Sequence, residues 1–172
     1  MKIINVLTTD RLTIRNYEVS DKDFCTGMWY DNENGKYLSD PTEDYVDDVY
    51  QAAVDSMQDS EEGYYFVVVD TVNANRVGTC CAFPNEDNSG LDIGYCIHKK
   101  YWRNGYATEV VKKLIGWASQ QSYKTITAEV AKDNEASCGL LKKLGFTIKE
   151  EKSFKKFHMD ISYDSYVFEY RL

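Results

Sequence analysis

Leu91-Asp92-Ile93-Gly94-Tyr95-Cys96-Ile97, followed closely by Tyr101-Trp102-Arg103-Asn104-Gly105-Tyr106-Ala107-Thr108-Glu109, is the stretch whose reading decides the fold. The first run is strand-like and the second opens a strongly helical segment from Ala107 to Ser119. A strand, a tight turn with glycine and a helix N-terminus together make an anion site from backbone alone. The first N–H groups of a helix lack internal partners, and the macrodipole adds partial positive charge there. Gly105 lets a phosphate approach the main chain closely. The dinucleotide fingerprint needs three glycines here and the nucleotide P-loop needs Gly-Lys-Ser/Thr, and neither is present. The segment therefore reads as a phosphate turn of another kind.

Working outward, the 172 residues suit a single domain spanning 1–172, with 43% hydrophobic and 28% charged content of ordinary globular type. No apolar run reaches the length of a membrane span, and Met1-Lys2-Ile3-Ile4-Asn5 does not read as a signal peptide. Cys25, Cys80, Cys81, Cys96 and Cys138 include no C-x-x-C pair, and only His98 and His158 could assist them, so no metal site is expected. Reduced, buried thiols in a cytoplasmic protein are the simpler account.

A net charge of −8 argues against nucleic acid as a partner, because phosphate neutralisation needs basic surface. The acidity is uneven: eleven acidic residues between Asp31 and Glu62 face Lys36 alone. That run is either a solvated helix face or a surface attracting a cationic substrate such as an amine.

Leu12 to Arg15 alternates as a first strand. Ser20 with Asp23 resembles a cap opening a short helix through Phe24, Met28 and Trp29. Asp40-Pro41-Thr42-Glu43 predicts a second helix start, with Asp40 as cap and Tyr45, Val46, Val49, Tyr50, Ala53 and Met57 at helical spacing. Tyr64–Val69 and Arg76–Phe83 form a hairpin around Thr71–Asn75. After the phosphate turn, Ala107, Val110, Val111, Leu114, Ile115 and Ala118 make one apolar helix stripe. Lys124–Val130 is a strand, Asn134 caps a helix ended by Gly145 as a left-handed cap, and two late strands cover about 146–157 and 163–171. The order implies a mixed α/β fold. Its mostly antiparallel sheet of about seven strands holds one parallel pair around 91–130, with about four helices flanking it. The phosphate turn then falls at the carboxyl end of a strand, where open sheets bind ligands.

These residues resemble the GNAT family of acetyl-CoA-dependent N-acetyltransferases, specifically its ribosomal-protein, RimJ/RimL-like branch. The likeness runs from Thr9-Asp10-Arg11-Leu12-Thr13-Ile14-Arg15 through Ile93-Gly94-Tyr95 and the phosphate turn. It continues through Glu129-Val130-Ala131-Lys132-Asp133-Asn134-Glu135-Ala136-Ser137 to Lys143-Leu144-Gly145-Phe146. The family loop reads Gln/Arg-x-x-Gly-x-Gly/Ala; here Trp102, Gly105 and Ala107 hold its first, fourth and sixth positions. The resemblance implies that the backbone of Arg103, Asn104, Gly105, Tyr106, Ala107 and Thr108 binds the pyrophosphate of coenzyme A, with Arg103, Lys99 and Lys100 adding charge. It also implies a splayed parallel pair with the pantetheine arm between the strands. Cys96, Ile97 and His98 would contact that arm through their backbone, one N–H polarising the thioester carbonyl. Asn134 matches the asparagine that bonds the arm and can still cap its helix.

The same resemblance places Glu129 as the base that deprotonates the amine, and alternation points it away from Ile126, Ala128 and Val130. Its competing reading is an exposed strand glutamate. Asp92 is a second candidate base, against a solvated strand-edge aspartate. The tyrosine acid of many family members is replaced by Leu141; Ser137 matches a serine near the sulfur, or else serves the helix start. The expected activity is acetyl transfer from acetyl-CoA to a primary amine, either a small molecule or a protein N-terminus. The alternative is a non-catalytic acyl-CoA-binding module. The sequence leaves assembly open, a homodimer among the options.

Overall fold

A computed structural model describes all 172 residues. Twelve elements run in the order β1 (Leu7–Thr8), β2 (Leu12–Asn16), α1 (Lys22–Trp29), α2 (Asp48–Ser56), β3 (Tyr64–Asp70), β4 (Arg76–Pro84), β5 (Gly90–Ile97), α3 (Tyr106–Gln120), β6 (Thr125–Ala131), α4 (Glu135–Lys143), β7 (Thr147–Lys155) and β8 (Ser162–Arg171). They build one eight-stranded sheet of order β1-β2-β3-β4-β5-β6-β8-β7. Every pairing is antiparallel except β5 with β6. The strand beyond the expected seven is Leu7–Thr8, two residues long and too short to show a period of two. No helix is long and apolar enough to cross a membrane.

Helices α3 and α4 cover one face. Val110, Val111, Leu114 and Trp117 of α3 and Leu141 of α4 pack with Ile93, Ile126, Ala128 and Phe168 of the sheet in the main core. A smaller cluster of Tyr17, Cys25 and Val67, with Phe24, Trp29 and Met57 against it, marks the opposite face under α1 and the turn after α2. Gly145 ends α4 in the left-handed region at φ 94°, as its position predicts.

Both early helix starts differ from expectation. Ser20 is no cap: the Glu18 amide donates to Asp21 Oδ2 at 3.0 Å, and α1 begins at Lys22 after a single tight turn. Asp21 is fully buried and binds both Arg15 (2.7 and 2.8 Å) and Arg76 (2.5 Å), tying the start of α1 to β2 and β4. Burial alone would push its carboxyl up, but the bonds from Arg15, Arg76 and the Glu18 amide hold it below the usual range.

Asp40 likewise does not cap α2. Asp47 does, accepting from the Tyr50 amide at 2.8 Å, and the helix faces inward at Val54 while Val49 stays exposed. Tertiary bonds claim Asp40 instead: its carboxylate accepts from the Tyr50 hydroxyl and its carbonyl accepts from Lys156 Nζ at 2.7 Å. Lys156, only 5% exposed, also donates to the Gly35 carbonyl at 2.8 Å. With Phe157 N on Ser39 O and Tyr163 Oη on Lys36 O, both at 2.8 Å, it fixes the 31–40 loop to the far end of β7 and β8. Gly35 permits this seating, because a Cβ there would meet the Trp29 carbonyl oxygen at 1.8 Å.

Candidate active site

β5 and β6 pair only from Gly90 to Asp92 with Thr125 to Thr127. Beyond Asp92 the strands part, while β5 stays paired to β4 through Ile97. Backbone groups alternate in direction along a strand, and the His98 amide is spent on the Val77 carbonyl at 2.9 Å. By that alternation the Tyr95 and Ile97 groups point into the opening and those of Cys96 and His98 point to β4. Of the three backbone contacts expected, Ile97 is therefore placed for a ligand in the opening. Cys96 offers its side chain to the cavity walls, and His98 lies outside them, its Nδ1 accepting from the Lys100 amide at 3.1 Å. The Ile97 carbonyl receives the Trp102 indole N–H at 2.6 Å and the Asn34 side-chain amide at 3.3 Å. The tryptophan at the loop's first position thus braces the mouth of the opening.

The turn after it takes Arg103 to φ 61° and Gly105 to φ 80°, the left-handed geometry for which glycine is suited. No side chain caps α3, so its first N–H groups are left for a ligand. The turn is held from behind. Arg11 donates to the Asn104 carbonyl at 3.0 Å and to Glu109 Oε2 at 2.8 and 2.6 Å, and Thr9 donates to the same carboxylate. Burial would raise the Glu109 carboxyl, yet the bonds from Thr9 and Arg11 hold it low, keeping it charged without an open negative charge beside the anion site. Tyr106 donates to Asp70 at 2.8 Å.

A groove of about 700 Å³ runs from this turn into the opening. Trp102, Arg103, Gly105, Tyr106, Ala107, Thr108, Asn134 and Ser137 line it, joined by Lys36 and Lys143. Asn104 is outside the wall, its side chain donating to the carbonyls of Tyr101 and Trp102 at 3.1 and 3.2 Å. Lys99 is also withdrawn: it pairs with Asp31 at 2.8 Å and Glu33 at 3.2 Å, so its charge is already neutralised. Lys36, Arg103 and Lys143 supply the groove's positive charge against Glu33 alone. Asn134 caps α4 by accepting from the Ser137 amide at 3.2 Å, as its sequence position predicts.

A second cavity of about 480 Å³ lies between the sheet and the α1–α2 region. Tyr37, Leu38, Tyr95 and Cys96 line both spaces, so the two meet there. Its walls are Tyr17, Trp29, Tyr50, Tyr65, Phe83 and Phe154 among others, with the carboxylates of Asp40, Asp92 and Glu129 and no basic side chain. Asp92 accepts from the Thr127 hydroxyl at 2.7 Å, and burial together with the Glu129 charge pushes its carboxyl above the usual range. Burial raises Asp40 likewise, opposed by the Tyr50 hydroxyl bond. Glu129 is exposed to the cavity and accepts from buried Ser165 at 2.5 Å. At the junction, the Tyr95 hydroxyl is buried without a hydrogen-bond partner beside Ser137, and burial pushes its pKa up to about 12. Leu141 is sealed in the core.

The structure thus sets Cys96 at the junction, Ile97, Ser137, Asn134 and the turn along the groove, and Asp92 and Glu129 along the second cavity. Sequence reading missed Tyr95, Asn34, Lys143 and Asp40 as site residues. It also passed over Lys36, whose isolation as the sole cation in a long acidic run was the available signal.

The sequence profile described as "Acetyltransferase (GNAT) domain" matches residues 11–147. A Bacillus licheniformis protein named "Uncharacterized N-acetyltransferase p20" is 30% identical over 148 residues, covering 83% of each chain. Among solved structures, a GNAT-family acetyltransferase from Bacillus anthracis aligns with a TM-score of 0.80 at 20% identity, covering 97% of this chain and 98% of that one. Spermidine N-acetyltransferase from Vibrio cholerae, in complex with CoA and spermine, aligns with a TM-score of 0.79 at 17% identity, covering 95% and 96%. At these identities the structural likeness speaks for the fold alone.

Proposed function

This chain belongs to the GNAT acetyltransferase family, and on that premise we propose that it transfers an acetyl group from acetyl-CoA to a primary amine by direct attack. The observation that carries the reading is the meeting of two unlike cavities at Tyr37, Leu38, Tyr95 and Cys96. One is cationic, with free helix amides, and suits a polyanionic cosubstrate; the other is acidic and aromatic and suits an amine. The Thr9-Asp10-Arg11 opening and the Glu129-to-Ser137 run support a place in the RimJ/RimL-like branch. A cytoplasmic setting suits the five free cysteines.

In this mechanism the loop amides and Arg103, Lys36 and Lys143 hold the phosphates, and Asn134 keeps its cap while its side-chain N–H₂ remains available to the arm. Glu129 accepts one proton from the substrate ammonium, freeing the nitrogen lone pair to form the C–N bond. The Tyr95 or Ile97 amide stabilises the carbonyl oxygen as it gains negative charge. The sulfur keeps the electron pair when the C–S bond breaks, and the proton lost as the amide forms restores the thiol through solvent. A phenol with a pKa near 12 stays protonated, so the Tyr95 hydroxyl donates a hydrogen bond to the sulfur rather than its proton.

Thiol release from acetyl-CoA against a panel of small amines and peptide N-termini tests the reading. Acceptor-dependent release is expected, whereas CoA binding without release to any acceptor would leave a binding module. Tyr95→Phe is expected to lower kcat about tenfold or more without lowering Tm, because it removes a buried hydroxyl that has no partner. A fall in Tm in step with kcat would assign the hydroxyl a structural role.

A further inference from the structure

The charges along the second cavity exceed what a simple amine requires. A single reacting ammonium needs one base, yet three carboxylates, Asp40, Asp92 and Glu129, line this space with no basic side chain among its walls. Two lysines stand outside its walls and offset part of this charge: Lys152 pairs with Glu150 at 3.2 Å and acts on Asp92, and Lys156, bound to the carbonyls of Gly35 and Asp40, acts on Asp40. Like charges sharing a cavity repel even where both side chains are exposed, and Glu129 already acts on Asp92 in this sense.

The carboxylates are also spread out. Asp92, Gly94 and Cys96 share one face of β5 by alternation, and Cys96 belongs to the junction with the cationic groove. Asp92 is level with Thr127 of β6, so Glu129, two residues further on, stands toward the junction. Four residues of strand put Asp92 about 13 Å from Cys96, and one hydrogen bond of about 3 Å leaves about 10 Å between a nitrogen at the junction and one held by Asp92.

We propose that the acceptor is an elongated amine carrying a second positive charge, a diamine or an amino-guanidinium compound. Asp92 seats the distal cation while Glu129 serves the reacting nitrogen. The proposal rests on the acetyltransferase reading and assigns Asp92 to specificity rather than to proton transfer. The aromatic walls pack the methylene chain between the two charges and favour the distal cation at their faces.

The test is a series of α,ω-diamines of increasing length, each set against the monoamine of equal length, with wild type and Asp92→Asn. For wild type, kcat/KM is expected to favour the longer diamines over their monoamines by at least about tenfold. In Asp92→Asn that ratio is expected to fall to within about threefold of unity, with the loss carried by the diamine KM. Monoamines used as well as diamines by the wild type would overturn the proposal while leaving the acetyltransferase intact. A diamine-to-monoamine ratio preserved in Asp92→Asn, with both rates lowered through kcat, would overturn it by making Asp92 the base. Calorimetry with the same diamines and desulfo-CoA covers the case of no turnover: absence of diamine binding overturns the proposal, and absence of desulfo-CoA binding overturns the acetyltransferase reading itself.

Discussion

Glu129→Gln lowers kcat by about a hundredfold or more, the range of positioned general-base catalysis, while acetyl-CoA affinity stays within about twofold. The side chain faces the acidic, aromatic cavity, on the other side of the junction from the cationic groove, so the amide should disturb binding of a cosubstrate in that groove little. Glutamine keeps the size and can still accept from Ser165, so the packing around β6 and β8 is retained. What it cannot do is take the proton that masks the attacking lone pair. Steady-state kinetics with a reactive amine, together with calorimetric titration of acetyl-CoA, separates the two quantities. Unchanged turnover removes Glu129 as the base, and parallel loss of affinity would mean that the substitution reaches the groove.

Asp21→Asn is the largest expected effect on stability. The carboxylate is 0% exposed and receives three bonds from Arg15 and Arg76 plus one from the Glu18 amide. Removing one partner of a buried ion pair costs about 3–5 kcal/mol, and the partial exposure of both arginines, 25% and 38%, places this case near about 3 kcal/mol. At about 3 °C per kcal/mol for a chain of this size, Tm falls by about 9 °C. The pH dependence has a definite sign. The folded pKa lies below the unfolded one, so the stabilisation is present above the unfolded aspartate range and is lost as pH falls through the folded value. Thermal melts of wild type should therefore weaken on acidification, and the gap to Asp21→Asn should narrow. A Tm within about 2 °C of wild type at neutral pH would show that the triad holds α1 far less firmly than its geometry implies.

Much of the fold was legible because its signals are local. The alternation of Leu91–Ile97, the apolar stripe of α3, Asn134 before α4 and Gly145 after it each depend on neighbours a few residues away, and each element formed where expected. The glycine turn before α3 was legible for the same reason: Gly105 with a helix behind it is a local arrangement. The two misplaced helix starts show the limit. Ser20 and Asp40 are sound cap residues, but Arg15 and Arg76 draw Asp21 inward, and Tyr50 and Lys156 claim Asp40. Those partners stand up to 116 residues away, where no local pattern reaches.

Sequence by itself therefore determined the order of strands and helices and the glycine turn after β5, because period, capping and turn chemistry are properties of short segments, and it offered Asp92 and Glu129 as candidate bases through a family resemblance. Tertiary structure alone decided where the two parallel strands part, which amides face the gap, and that Asp40 and Tyr95 line the cavities there. It also decided that Lys99 is neutralised by Asp31 and Glu33 while Lys36 and Lys143 line the groove. Charge and proton transfer depend on what stands opposite in space, and across a sheet that partner is set by register and burial rather than by sequence neighbours.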